Sequence, residues 1–290
     1  MRLLISGGDQ DPNLTRLTNY ALLKGVQVIP VTIGSSGFPY LNYDIGSNIL
    51  TINDQQVQVE AAFLRKDVFY TLQGKSKAIG NSANEWFNII NGYLLINEGI
   101  NIFNREFKNR TVVNKTQSLY LAQKIGLNIA SSYVSNDYKF INKKSQEGEW
   151  IVKPLIGGDY AKEIRLDNTK NNNKPVKKPQ FLQEKLSPPD IRVFRVGDEY
   201  ISFKLTSDSL DYRTSNKTSI ELIENDTDLC KKLKLLSDHL GLNFAAADFK
   251  LSSKDNSLCF LEINSNPMFA GFDMACDNKL LSIMLNFLVN

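Results

Sequence analysis

Asp248, Glu262 and Asn264 are the residues of this sequence whose types and spacing point most directly to chemistry. The stretches Asn243 to Leu251 and Leu258 to Ile263 are apolar and β-prone, and the polar run 252–257 between them predicts an antiparallel hairpin. Residues two apart in a strand point to one side, so Glu262 and Asn264 share a face, and Asp248 can lie across the ladder from them. Two carboxylates and an amide form a hard-oxygen donor set, which suits Mg²⁺ shared with phosphate oxygens, as in phosphoryl transfer. The competing reading is a solvated hairpin edge, where acidic residues usually sit. Glu262, however, lies between Leu261 and Ile263 in a strand that otherwise reads as buried, where an unpaired carboxylate is costly.

The remaining elements must bring positive charge to these acids. Glu149 to Lys153 reads as a strand stopped by Pro154, and its alternation turns Lys153 away from Val152, toward a cleft. Gly157 and Gly158 follow, suited to a mobile loop over phosphates, and residues 157–179 read as a flexible, lysine-rich lid. Asn114 predicts a helix cap, with the helix running from Lys115 to Ile125. After Phe181 to Leu186 comes Ser187-Pro188-Pro189-Asp190-Ile191-Arg192, and Gly197-Asp198 makes a hairpin turn into Tyr200 to Leu205. Arg192 and Lys204 are read as facing the cleft. Asp228 to Leu240 carries a leucine stripe at helical spacing, and the only histidine, His239, fits a contact with that helix end better than a general base.

The N-terminal hundred residues begin as an α/β unit: a strand Arg2 to Ser6, a helix Leu14 to Leu23 and a strand Val26 to Ile33. A hairpin follows around Asn53-Asp54, then a strand Ala61 to Arg65 and a helix Asn84 to Asn97. Gly7-Gly8-Asp9 lacks the later glycines and the lysine of phosphate-binding loops. Arg65, at a strand end, faces a ligand cleft or forms a surface salt bridge. The chain has 290 residues, 42% hydrophobic and 22% charged, enough for a sizeable core. Its net charge of +3 gives no general case for nucleic acid. Cys230, Cys259 and Cys276 have no metal-ligand spacing and are odd in number, so a reducing cytoplasm is expected. The first apolar run is too short for a signal peptide, and no run approaches the ~20 residues of a membrane span.

Asp248, the run Glu262-Ile263-Asn264 and the following Asn266-Pro267 resemble the metal-binding end of the ATP-grasp ligases, particularly the RimK-like branch. The resemblance implies an ATP-grasp fold of mixed α/β and α+β class, with an N-terminal α/β domain (1–103), a central subdomain (104–185) and a C-terminal subdomain (186–290). It implies ATP bound by Lys115 and Lys153, with Gly157 and Gly158 over the phosphates, backbone at Glu184, Lys185 and Leu186 against adenine, and Asp190 on the ribose. Two Mg²⁺ ions would be held by Asp248, Glu262 and Asn264, with Glu262 bridging. Arg213 would stabilise the transferring phosphoryl group, helped by Arg192 and Lys204, and Arg65, Arg105 and Asn266 would meet substrate. The implied reaction activates a carboxylate as an acyl phosphate, which a nucleophile then displaces.

Leu41-Asn42-Tyr43-Asp44 and Ala62-Phe63-Leu64-Arg65 are distantly similar to the microviridin and graspetide ligases, which link side chains of a ribosomally made precursor through ω-esters or ω-amides. That similarity implies a precursor peptide with a leader and an acidic core as partner, with Arg105, Lys108 and Arg110 as possible contacts for the acids, and homodimers are common among such enzymes. Ser265 and Asn266 separate Asn264 from Pro267, whereas those peptide cyclases place proline directly after the asparagine. A RimK-like ligase adding an amino acid to a small carboxylate or a protein tail, and a non-catalytic peptide-binding module, are the alternatives.

Overall fold

In the computed structural model, the strand Arg2–Gly8 lies at the centre of a parallel sheet, between Gln27–Ile33 and Ala61–Leu64, with Asn101–Ile102 at the far edge. The structure describes residues 1–34, 37–66, 77–108, 112–155, 161–164, 175, 177–207 and 218–290, without the side chains of 77–80. The first strand is buried on both faces, as a central parallel strand must be. Leu3 and Ile5 face one core, and Leu4 faces another with Val31, Ile90 and Leu94. The hairpin at Asn53-Asp54 is present, both residues having positive φ (49° and 62°), with Leu41–Asp44 as a third strand beside Ile49–Ile52. The helix predicted from Asn84 starts earlier and spans Lys77–Ile96.

Among the described residues the C-terminal sheet has six strands, in the order Ser219–Ile223, Glu199–Thr206, Ser187–Val196, Phe244–Leu251, Leu258–Asn264 and Asn128–Ile129. The predicted hairpin joins the fourth and fifth of these. Helix Thr227–Leu240 is capped by the Asp226 side chain, which accepts from the Asp228 and Leu229 amides, and it stops at Gly241, whose φ is 74°. It packs its leucine stripe, together with helix Lys115–Lys124, against Ala245, Ala247, Phe249 and Phe260. On the opposite face the terminal helix Lys279–Val289 joins Phe194, Phe203 and Phe244 in the core that also holds Leu3, Ile5 and Phe63. Phe103 stacks on Phe244 and Phe287, with both centroid distances 4.7 Å, and Phe63 meets Phe244 edge-on at 6.0 Å. At about 1.5–3 kcal/mol for each buried phenyl, this seam binds the N-terminal sheet firmly to the C-terminal one.

A further antiparallel sheet lies between them in sequence: Lys162–Glu163, Trp150–Lys153, Gln180–Glu184 and Ser132–Ser135. Lys162–Glu163 belongs to the stretch read as a lid and pairs with Trp150–Lys153. Phe107, Val113 and Leu119 share a core with Val193 and Phe249, so side chains from either side of residue 185 pack together, and division of the chain at 103/104 and 185/186 stands as a proposal.

Candidate functional site

Pairing across the C-terminal sheet builds the site. Arg192, Asp248 and Glu262 are direct neighbours on three adjacent strands, and Ala246 pairs with Asn264, so all four candidate side chains lie on one face. Leu261 is an extra residue between the Asp248–Glu262 and Phe249–Phe260 pairs, a bulge beside the two acids. Like charges directly opposite in a sheet repel, and here cations offset them. Arg192 donates to both Asp248 oxygens, from Nε at 2.6 Å and a terminal nitrogen at 2.7 Å, with its guanidinium over the Phe272 ring. Lys115 Nζ lies 3.1 Å from Glu262 Oε2. It starts a helix whose cap, Asn114, accepts from the Gln117 amide at 3.1 Å. Asn264 turns its amide nitrogen toward Asp248 and Glu262 in long contacts of 3.5 and 3.4 Å.

Burial alone would raise the Glu262 carboxyl, but the Lys115 and Lys153 ammonium groups outweigh it and hold it at about 2. Burial pushes the Lys153 ammonium down to about 8; Glu262 and Asp248 oppose the fall, and Lys115 and Lys250 add to it. Lys250 was missed in the sequence, although it lies two residues after Asp248 and so on the same face. Its Nζ is 3.3 Å from Asp190 Oδ2.

Glu184, Lys185 and Leu186, the residues assigned to adenine, lie at and just after the end of the strand Gln180–Glu184. The Glu184 and Lys185 amides donate to the Ser131 and Glu149 carbonyls, both at 2.9 Å, and Leu186 packs with Ala130, Cys259 and Leu261 as an apolar wall. Glu184 holds Lys254 at 2.7 Å, and the Lys185 amine bridges Glu163 and Glu149 at 3.1 and 3.4 Å.

Three expected ligand contacts are placed differently. Arg65 is 1% exposed: its Nε donates to Asp11 at 2.5 Å and a terminal nitrogen to Asn266 Oδ1 and the Pro267 carbonyl, both at 2.7 Å. Arg65 is a buried tie and not a ligand contact, whereas its partner Asn266 is partly exposed and lines a cavity with Lys66, Phe103 and Ser265, so its assignment to substrate stands as a proposal. Arg105 donates to the Leu94, Leu95, Asn97 and Ile100 carbonyls and closes the C-terminal end of the helix Lys77–Ile96. Lys204 pairs with Ile191 and Glu221, and Ile191 with Phe249, which puts Lys204 on the face opposite Arg192 and Asp248. Gly157, Gly158, Arg110 and Arg213 lie outside the described residues.

Similar architectures occur in solved structures. The macrocyclase MdnC of Microcystis aeruginosa MRC, bound with precursor peptide MdnA, superposes with a TM-score of 0.79 at 19% identity, covering 100% of both chains. The ATP-grasp ligase PsnB, complexed with a phosphomimetic variant of its minimal precursor, Mg and ADP, gives 0.77 at 19% identity, over 99% of this chain and 98% of that one. This is the ATP-grasp fold. A RiPP-associated ATP-grasp ligase of Chryseobacterium gregarium, in complex with ADP and a leader and core peptide, gives 0.71 at 16% identity over 99% and 96% of the chains. No protein-family model matches the sequence, and no curated protein does.

Within this ATP-grasp fold the donor set can be tested against Mg²⁺. Among the described residues no three His, Cys, Asp or Glu side chains cluster, so the acids at the site are the pair Asp248 and Glu262, with Asn264 as a third oxygen source. Two carboxylates and an amide, held by cations from Lys115 and Arg192, fit a hard divalent ion that shares its shell with phosphates. Among the described residues no helix is long and apolar enough to cross a membrane.

Proposed function

We propose that this chain is an ATP- and Mg²⁺-dependent carboxylate ligase that forms side-chain ω-ester or ω-amide links in a ribosomally made precursor peptide. The observation that carries this reading is the convergence of Lys115 and Lys153, from a helix start and a separate sheet, on the acids Asp248 and Glu262. Lys115 and Lys153 hold the phosphates, Glu184 to Leu186 lie along adenine, and Asp190 accepts from the ribose. Asp248, Glu262 and Asn264 would hold Mg²⁺, which when bound would neutralise phosphoryl charge. Arg192 orients Asp248, and Arg213 is assigned to the transferring group. A substrate carboxylate takes the γ-phosphoryl group and ADP leaves; a side-chain hydroxyl or amine then displaces phosphate, losing its proton. The likeness in fold to enzymes solved with precursor peptides favours a peptide over a small carboxylate.

Incubation with acidic peptides, ATP and Mg²⁺, followed by intact mass, tests this. Loss of one water per link supports the proposal. A gain of one amino-acid residue would replace it with RimK-like addition, and peptide binding without ADP formation would leave a non-catalytic module.

Lys153 gives a pH dependence. Its folded value of about 8 lies below the ordinary lysine value of about 10.4, so the nucleotide-free protein gains stability as pH rises across that window. A bound triphosphate favours the charged amine, so ATP affinity is expected to fall as pH rises through about 8, with proton uptake on binding. Calorimetry in buffers of different ionisation heat reads this directly. An affinity flat from about pH 7 to about 9.5, or a Lys153→Met variant with an unchanged profile, would contradict it.

A further inference from the structure

Lys250 has no part in the reading above, yet it is built into the same face. It follows Asp248 by two residues on the strand Phe244–Leu251, it is the direct cross-strand neighbour of Asp190, and its amine lies 3.3 Å from that carboxylate. The two side chains are 11% and 15% exposed, sheltered but still open to a ligand. The backbone pairing between strands Ser187–Val196 and Phe244–Leu251 is irregular between Ser187 and Asp190, so regular pairing at Asp190 is not continued on its N-terminal side. A charged contact from the neighbouring strand is therefore well placed to fix where this carboxylate points.

We infer that Lys250 is a positioning residue for Asp190, holding its carboxylate toward the ribose and so setting a preference for nucleotides that carry ribose hydroxyls. The inference rests on the assignment of Asp190 to the ribose in the proposed function. One strand then carries both ends of the nucleotide site, with Asp248 at the metal and Lys250 behind the sugar, about 7 Å apart along the strand.

The test compares binding of ATP and 2′,3′-dideoxyATP to the full chain by calorimetry. A hydroxyl donating to a charged acceptor is worth roughly tenfold to a hundredfold in affinity, which is the preference expected of the parent protein. Lys250→Met should weaken ATP about tenfold and leave dideoxyATP within about twofold, while Lys250→Arg keeps most of the preference. The unchanged dideoxyATP affinity also shows that the variant is folded. Equal weakening of both nucleotides would mean that the amine meets the phosphates, and an unchanged preference would mean that Asp190 is held without it; either overturns the inference. Asp190→Asn separates the two layers. If it retains the parent preference, or if the parent shows none, the ribose assignment fails and the inference with it. If it abolishes the preference while Lys250→Met does not, the inference alone fails.

Discussion

A Glu262→Gln variant is expected to form ADP at least about a hundredfold to a thousandfold more slowly than the parent protein, while still binding ATP. Glu262 stands opposite Asp248 on the neighbouring strand, and its oxygens are shared by Lys115 and Asn264. Replacing one oxygen by an amide nitrogen removes the negative charge that a divalent ion requires and leaves two ammonium groups to hold the phosphates. Binding of ATP without Mg²⁺ should therefore persist or tighten, and its enhancement by Mg²⁺ should disappear. Single-turnover ADP formation, measured beside calorimetric ATP binding, separates the two effects; parental turnover in this variant would remove Glu262 from the metal site. The substitution has a signature in stability as well. Glu262 titrates at about 2 in the folded protein, below the ordinary carboxylate value of about 4.3, so its ion pairs support the fold above that value and are lost as pH falls toward 2. Unfolding by urea at pH values across this acid range should show a shallower pH dependence for the variant than for the parent.

Arg65→Met is expected to cost about 3–5 kcal/mol of stability, because it strands Asp11 as an unpaired buried charge. Asp11 is 1% exposed and also caps the helix Pro12–Leu23 by accepting from the Asn13 amide at 2.8 Å. The lost guanidinium further leaves Asn266 Oδ1 and the Pro267 carbonyl without their donor, just past the strand that carries Glu262 and Asn264. Urea unfolding of Arg65→Met, Asp11→Asn and the double variant forms a cycle, in which the pair should lose less than the sum of the single losses. A loss below about 1 kcal/mol for Arg65→Met would show that the buried pair offsets little more than its own desolvation.

The hairpin bearing Asp248 and Glu262 was legible because its residues are close in sequence and strand alternation fixes which side each one takes. Asn114 and the leucine stripe of Thr227–Leu240 were legible for the same local reason. Arg65 and Arg105 were assigned to substrate because a charge beside an element looks the same in sequence whether it meets a ligand or a partner within the chain; for Arg65 the alternative of a salt bridge is the one that forms, buried and not at the surface, with contacts 54 and 201 residues away. Lys204 is a different case, since its signal was present. A two-residue turn at Gly197-Asp198 pairs Val196 with Glu199, and counting back places Phe203 opposite Arg192, with Lys204 on the other face. Lys250 could have been found by the same count of two that joined Glu262 to Asn264. The short parallel strand Asn128–Ile129 at the edge of the C-terminal sheet had no local signal, because its partner lies more than a hundred residues away.

The stacked and edge-on phenyl rings that join Phe63 and Phe103 to Phe244 and Phe269 limit where the chain can be cut. Removing the first hundred residues would strip one wall from a continuous aromatic layer and turn Phe244 and Phe269, now 2% and 0% exposed, toward water. A C-terminal fragment beginning near residue 104 would carry Asp248 and Glu262, the acids of the proposed metal site, and still be a sticky, aggregation-prone piece. Excision of the central sheet between residues 131 and 186 leaves that aromatic layer whole but takes Phe181 and Leu155 from the core around Val193 and Phe249, so neither cut leaves every apolar wall covered.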